Sequence, residues 1–317
     1  MLRITLILSK PMHRYHFSSI IGDDTDNGGG FITKHPSCPA IADNGVAFLT
    51  ESTIATLSQK YEPAAMLDSF AYTNALLWLT AARQQPIVHF WQLQPTVILG
   101  LLDQRLPRLT AGLAHLHAAG YQVMLRNSGG LAVVADPGVL NVSLFLPATR
   151  ERYSITAAYQ LMVDYVQAVW PQLNITTGEI TRSYCPGDYD LSIAGRKIAG
   201  MSQRRTAEAL VIMLYVSVDG DQMARSQLIQ RFYQVSLAGH HDERFPDVDP
   251  QVMTTVADAL ATPTDTTAAQ ARFIAILAQH GTVDTTSLPL VTEEPEFQAH
   301  LNQAYQQMQR RQQRLHH

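Results

Sequence analysis

RSYCPGDYDLSIAGRKIAGMSQRR, residues 182–205, is the stretch on which the reading of this chain turns. DYDLSI (188–193) alternates apolar and polar side chains as a half-buried strand does, Ala194-Gly195 reverses the chain, and Arg196-Lys197-Ile198-Ala199-Gly200 returns beside it. Just ahead of this hairpin, Cys185 is followed by the turn residues Pro186-Gly187. A thiol at the start of one strand and a lysine, Lys197, just past the turn can lie close in space. A nearby ammonium stabilises thiolate, and thiolate is the nucleophile. An isolated cysteine is most often a small buried hydrophobe. Five basic residues around it (Arg182, Arg196, Lys197, Arg204, Arg205) argue against inert burial here.

Outward from the hairpin, ALVIMLYVSVD (209–219) is the longest continuous apolar run and reads as a strand buried on both faces. IVHFWQL (87–93), TVILG (96–100), YQVML (121–125), LAVVA (131–135) and LNVSLFL (140–146) are further β-branched or aromatic runs. Helical spacing marks 62–84, with Leu67, Phe70, Ala71, Leu77 and Trp78 on the apolar face, and 109–120, where Gly120 suits a C-terminal cap. Residues 154–170 start at a Ser154 cap and present Ile155, Tyr159, Met162, Val166 and Val169. Helical stretches at 221–236, 250–279, broken near Pro263, and 294–314 close the chain; the last, Gln- and Arg-rich with a thin apolar face, is expected to dock loosely. Strands cluster between helices rather than alternating strictly with them, which favours an α+β fold with helices on one side of the sheet.

Composition narrows the class. The 317 residues carry a net charge of −4, without the basic footprint of a nucleic-acid-binding protein. No apolar run reaches the roughly 18 residues that span a bilayer, so no membrane partner is expected. Cys38 and Cys185 are the two cysteines and form no disulfide framework, which fits a reducing cytoplasm. MLRITLILS (1–9) has a short apolar core but no small-residue cleavage site after it, and a secretory leader is not expected. Residues 10–45 are rich in Gly, Asp, Asn, Pro and Ser without a period, so 1–60 is expected to be a disordered extension.

RNSGGLAVVADPGVLNVS (126–143) is the other stretch with chemical content. Arg126 leaves a strand, Ser128-Gly129-Gly130 lets backbone approach a ligand closely, and Asn141 and Ser143 share one face of the next strand. Taken alone, Gly-Gly beside a strand is as well explained by a plain hairpin turn.

Together the two stretches resemble the biotin/lipoate protein ligase superfamily. Its lipoate-ligase branch carries an arginine, Ser-Gly-Gly, Asn-x-Ser, then Asp-Leu, a Gly-x-Lys-Ile-Ala-Gly turn and Gln-Arg-Arg. QPTVILG (94–100) is similar to the family's early strand, and the resemblance spans roughly residues 62–265. Two departures separate this chain from the ATP-using ligases. Leu131 stands for the third glycine of Ser-Gly-Gly-Gly-Ala-Val, with Ala135 where a histidine is usual, and the ligases lack a cysteine at the position of Cys185. SYCPGDYDLSI with RNSGGLAV resembles instead the octanoyl amidotransferases of Gram-positive bacteria.

The resemblance implies a ligase-like mixed sheet flanked by helices, with a catalytic domain at 61–265 and a C-terminal helical segment at 266–317. It implies Cys185 as nucleophile and Lys197 as the invariant lysine. Arg126, Ser128, Gly129, Gly130, Asn141, Asp190 and Gly200 become the candidate substrate-binding residues, with no metal or cofactor required. The donor would be the octanoylated glycine-cleavage H protein and the acceptors the lipoyl domains of E2 subunits of the 2-oxoacid dehydrogenases. Lys197 and amides near Gly129-Gly130 or Gly200 become candidates for stabilising a tetrahedral oxyanion. At about 0.8 kcal/mol per buried methylene the acyl chain needs an apolar slot; Leu131, Val133, Leu140 and Val142 either line it or belong to the core. Residues 182–205 carry five positive and two negative side chains, a basic rim suited to acidic partner domains. Octanoyl transfer from acyl carrier protein, an ATP-dependent lipoate ligase and a non-catalytic lipoyl-domain binder remain open beside the amidotransferase.

Overall fold

The computed structural model describes residues 53–147 and 153–315. Residues 1–52, with Cys38 and the leader region, lie outside them. The last part of the expected disordered extension is instead a strand, β1 (Thr53–Tyr61), whose Ile54, Ala55, Leu57 and Tyr61 are buried. After it come α1 (Asp68–Arg83), β2 (Ile87–Leu93), β3 (Thr96–Leu99), α2 (Leu109–Ala118), β4 (Gln122–Leu125), β5 (Val133–Ala135) and β6 (Val139–Pro147). Then follow α3 (Ile155–Val169), β7 (Ile175–Thr177), β8 (Leu191–Ile193), β9 (Arg196–Arg205), β10 (Ala209–Ser217) and α4 (Gln222–Leu237). The chain closes with α5 (Val256–Leu260), α6 (Thr266–His280), β11 (Thr282–Asp284), α7 (Ser287–Thr292) and α8 (Pro295–Gln312).

Eight strands form one mixed sheet in the order β11-β1-β2-β6-β10-β9-β8-β7, and β4-β3-β5 form a small second sheet. β10 is buried along its whole length, and its period of two explains why. Leu210, Ile212, Leu214 and Val216 pack with Met162 and Val166 of α3 and Phe273 of α6. Ala209, Val211 and Met213 pack with α1 and with Phe297 and Leu301 of α8. Helices therefore cover both faces, against the one-sided arrangement expected. A continuous apolar strand has two faces to hide, and each needs its own layer.

The hairpin at the centre of the sequence reading forms as β8 and β9, joined through the left-handed residues Ala194 and Gly195. Ser154 caps α3, accepting from Ala157 N at 3.0 Å, and Gly120 takes a positive φ after α2. Ile155, expected in the buried stripe of α3, opens the first turn at 53% exposure; the buried stripe begins at Ala158.

α8 does not dock loosely. Phe297, Leu301, Ala304 and Met308 are buried, largely against α1. At its end the Gln312 amide acts as a strand partner for the open edge of β4. It accepts from Leu125 N at 2.7 Å and donates to Leu125 O at 3.0 Å. Gln312→Ala should cost about 1–2 kcal/mol in chemical denaturation because buried backbone groups lose their partners. Replacing the exposed Gln306 should cost nothing measurable.

His89 on β2 is fully buried among Tyr61, Tyr72 and Trp91, and burial lowers its imidazole to about 3. The folded ring stays neutral while the unfolded ring takes a proton near about 6.5. Its contribution is therefore complete above about 6.5 and is lost as pH falls toward 3. His89→Gln should flatten the dependence of unfolding free energy on pH in that window.

Candidate active site

Cys185 sits in the loop between β7 and β8, partly exposed, at a φ of +50°. That left-handed conformation is uncommon for a side-chain-bearing residue and needs its surroundings to hold it. Three neighbours do so. The Tyr184 ring is buried beside Tyr215, with the two hydroxyls hydrogen-bonded. Asp190 N donates to Gly187 O at 3.0 Å, closing the turn after Pro186. Lys197 fills the interior of the loop: its Nζ donates to Cys185 O at 2.7 Å, Tyr184 O at 3.2 Å and Ser183 Oγ at 3.3 Å.

The charge of Lys197 is met by Asp190 Oδ1 at 2.9 Å, with the two side chains 3% and 2% exposed. Asp190 also accepts from Gly187 N at 3.2 Å and Ile180 N at 3.3 Å. Burial raises its carboxyl above the ordinary value, and the Lys197 ammonium and those amides pull it back. Gly200 lies directly beside this pair; a Cβ there would be in ordinary contact with Lys197 Cε at 3.4 Å and Asp190 Oδ1 at 3.6 Å, so the pair does not require a glycine at this position.

The sulfur has different neighbours. Leu131 N donates to Sγ at 3.3 Å and Arg126 Nη2 at 3.5 Å. Arg126 is buried and also donates to Leu131 O at 3.2 Å. Gly130 is the close approach: with φ at +97°, a Cβ would stand 2.1 Å from Arg126 Nη2 and 3.1 Å from Sγ. Gly129 is open to solvent, and Ser128 Oγ has no hydrogen-bond partner among the described residues.

The fold thus brings Cys185, Lys197, Asp190, Arg126, Gly130 and Gly200 together from the two stretches. Lys197, however, contacts the Cys185 carbonyl, and the donors at the sulfur are Arg126 and the Leu131 amide. Asn141 is buried and donates to Trp91 O at 3.4 Å, on the sheet rather than at the thiol. Leu140 and Val142 belong to the core under α3 and α6, while Leu131 and Val133 are partly exposed in the cluster around Tyr184. Two of the five basic residues expected on the rim are ion-paired, Lys197 with Asp190 inside and Arg182 with Asp249 at 2.9 Å. Arg205 donates to Tyr153 O and Ser154 O and Arg204 to the Asn74 amide oxygen, all uncharged, and Arg196 is exposed, so three of the five charges keep no carboxylate partner among the described residues. The Leu131 amide could not be read as a donor from sequence, because a backbone group leaves no mark in residue identity.

Lys197→Met leaves the Asp190 carboxylate buried without its ammonium. It should lower the unfolding free energy by about 3–5 kcal/mol. Lys197→Met with Asp190→Leu together should recover much of that loss, measured as a double-mutant cycle in urea.

Residues 65–278 match the lipoyl protein ligase A/B catalytic domain family. The octanoyl-[GcvH]:protein N-octanoyltransferase of Anoxybacillus flavithermus is 42% identical over 195 residues, covering 61% of this chain and 71% of that one. The lipoyl-[GcvH]:protein N-lipoyltransferase of Listeria monocytogenes is 43% identical over 198 residues, with the same coverages of 61% and 71%. The octanoyl-[GcvH]:protein N-octanoyltransferase of Exiguobacterium sibiricum is 39% identical over 236 residues, covering 74% of this chain and 86% of the relative. Among solved structures, lipoate-protein ligase A bound with ATP shares the fold at a TM-score of 0.60 and 17% identity, covering 81% of this chain and 94% of its own. The bipartite lipoate protein ligase of Thermoplasma acidophilum does so at 0.58 and 18%, covering 81% and 92%. The chain belongs to the lipoyl protein ligase A/B catalytic domain family, on the acyltransferase side that includes the octanoyl- and lipoyl-[GcvH]:protein transferases.

Proposed function

We propose that this chain moves an octanoyl or lipoyl group from the lysine of the glycine-cleavage H protein to the lipoyl-domain lysines of E2 subunits, through a thioester on Cys185. One observation carries the reading: a partly exposed sulfur on a left-handed turn, faced by the Leu131 amide at 3.3 Å and Arg126 at 3.5 Å. Donors aimed at a sulfur favour its anionic, nucleophilic form.

In the first half-reaction the Cys185 thiolate adds to the carbonyl carbon of the donor's acyl-lysine amide. The carbon–nitrogen bond breaks, and the donor lysine leaves with a proton as the free amine. In the second, the neutral amine of an acceptor lysine adds to the thioester carbonyl. The carbon–sulfur bond breaks, the thiolate is restored, and the acceptor nitrogen gives up a proton. Lys197 serves this chemistry by fixing the turn that presents the sulfur: its ammonium has three N–H groups and already meets four oxygen atoms. Arg126 and the open Ser128-Gly129-Gly130 strip are the side of the thiol assigned to the acyl carbonyl. Among the described residues no helix is long and apolar enough to cross a membrane, and the reaction is assigned to the cytoplasm, where thiols stay reduced.

Mixing the purified protein with octanoylated H protein should give an octanoyl adduct on Cys185 in intact-mass spectrometry, discharged by an added lipoyl domain. Cys185→Ala should lose both adduct and transfer while keeping its unfolding curve. Transfer that needs ATP and survives Cys185→Ala selects a ligase instead, and acylation from acyl carrier protein alone moves the donor assignment.

A further inference from the structure

The loop that presents the Leu131 amide to the sulfur is held from behind by two residues outside either sequence stretch. Asp103, just after β3, is fully buried; its Oδ2 accepts from Gly100 N at 2.8 Å and its Oδ1 from the Tyr233 hydroxyl at 2.9 Å. The Tyr233 hydroxyl, from α4, in turn accepts from Ala132 N at 3.0 Å. The peptide between Leu131 and Ala132 is thereby pinned at both ends, its N–H by Tyr233 and its carbonyl by Arg126 at 3.2 Å. The preceding peptide is fixed as closely. A Cβ on Gly100 would stand 1.8 Å from Gly130 O and 2.8 Å from Leu131 N, so β3 and this loop are in direct backbone contact.

We propose that Asp103 and Tyr233 are positioning residues for the thiol, fixing the Leu131 amide on the Cys185 sulfur through a chain running Asp103–Tyr233–Ala132. With Asp103 ionised, each link has one assignment of donor and acceptor. Tyr233 has a single hydroxyl proton and gives it to Asp103, which leaves its oxygen free to receive the Ala132 amide. Asp103 suits the end of the chain because it is an acceptor when ionised. Burial raises it to about 7, while the Gly100 amide, the Tyr233 hydroxyl and the nearby Arg126 all act to keep it charged. The inference rests on Cys185 being the reacting group, as proposed above.

Tyr233→Phe removes one oxygen and keeps the ring among Phe232 and Phe245; Asp103→Asn keeps the shape but puts an amide against the Gly100 amide or the Tyr233 hydroxyl. The reporter is alkylation of Cys185 by iodoacetamide across pH, which needs no acyl donor and is independent of the transfer reaction. Both variants should alkylate at least about fivefold more slowly at neutral pH, with the rate profile displaced to higher pH. In the transfer assay, kcat should fall roughly tenfold while KM for octanoylated H protein stays within about twofold. A purely structural role would lower thermal stability and leave the alkylation profile where it is. A wild-type profile in either variant, with the fold verified by near-ultraviolet circular dichroism, overturns the assignment. If wild-type protein alkylates at Cys185 but is never acylated, the proposed function fails instead.

Discussion

The buried Lys197–Asp190 pair is the contact on which the site depends. Two opposite charges are taken out of water, and their attraction offsets the loss of hydration only because further hydrogen bonds satisfy them. Here the leftover N–H groups of the ammonium find the carbonyls of Tyr184 and Cys185, and the carboxylate finds the amides of Gly187 and Ile180. The pair therefore does more than close β8 against β9. It holds the backbone of the cysteine loop at the angle that turns the sulfur away from the core. A charged pair is suited to this, since a wrong loop conformation would leave an ion without partners.

The second constraint is close backbone approach. Gly100 and Gly130 bring β3 and the loop before β5 into contact, which sets Leu131 N and Arg126 opposite the thiol. The main sheet contributes the sulfur and the small sheet contributes its donors. The two sheets meet through the cluster in which Tyr184 and Tyr215 pack with Val97, Leu99 and Leu125. A side chain at Gly100 would force them apart, and one at Gly130 would push the Arg126 guanidinium off its place beside the thiol. The proposed reactive centre is thus a seam between two layers, and its geometry is only as firm as the packing beneath it.

Several elements were legible in sequence because local chemistry decides them. Ser154 as a cap, Ala194-Gly195 as a reversal and β10 as a doubly buried strand follow from side-chain hydrogen bonding, glycine's access to positive φ and an unbroken apolar run. The elements misread were those whose partners are remote. β1 looks like the tail of an irregular extension until β2 and β11 pair with it on either side. α8 looks weakly apolar, yet four buried side chains and Gln312 fix it, because its partners on α1 and β4 are more than a hundred residues away.

Residue identity and order supply the chemical inventory: one cysteine beside a turn, one lysine on the returning strand, an arginine and a glycine strip upstream, and a family resemblance in their order. Tertiary structure alone decided which of these touch. The lysine faces the main chain and the arginine faces the sulfur, and that exchange of roles depends on where the small sheet packs against the hairpin. The donor nearest the thiol is a peptide N–H, a group every residue but proline carries, and only the fold could single out the one at Leu131.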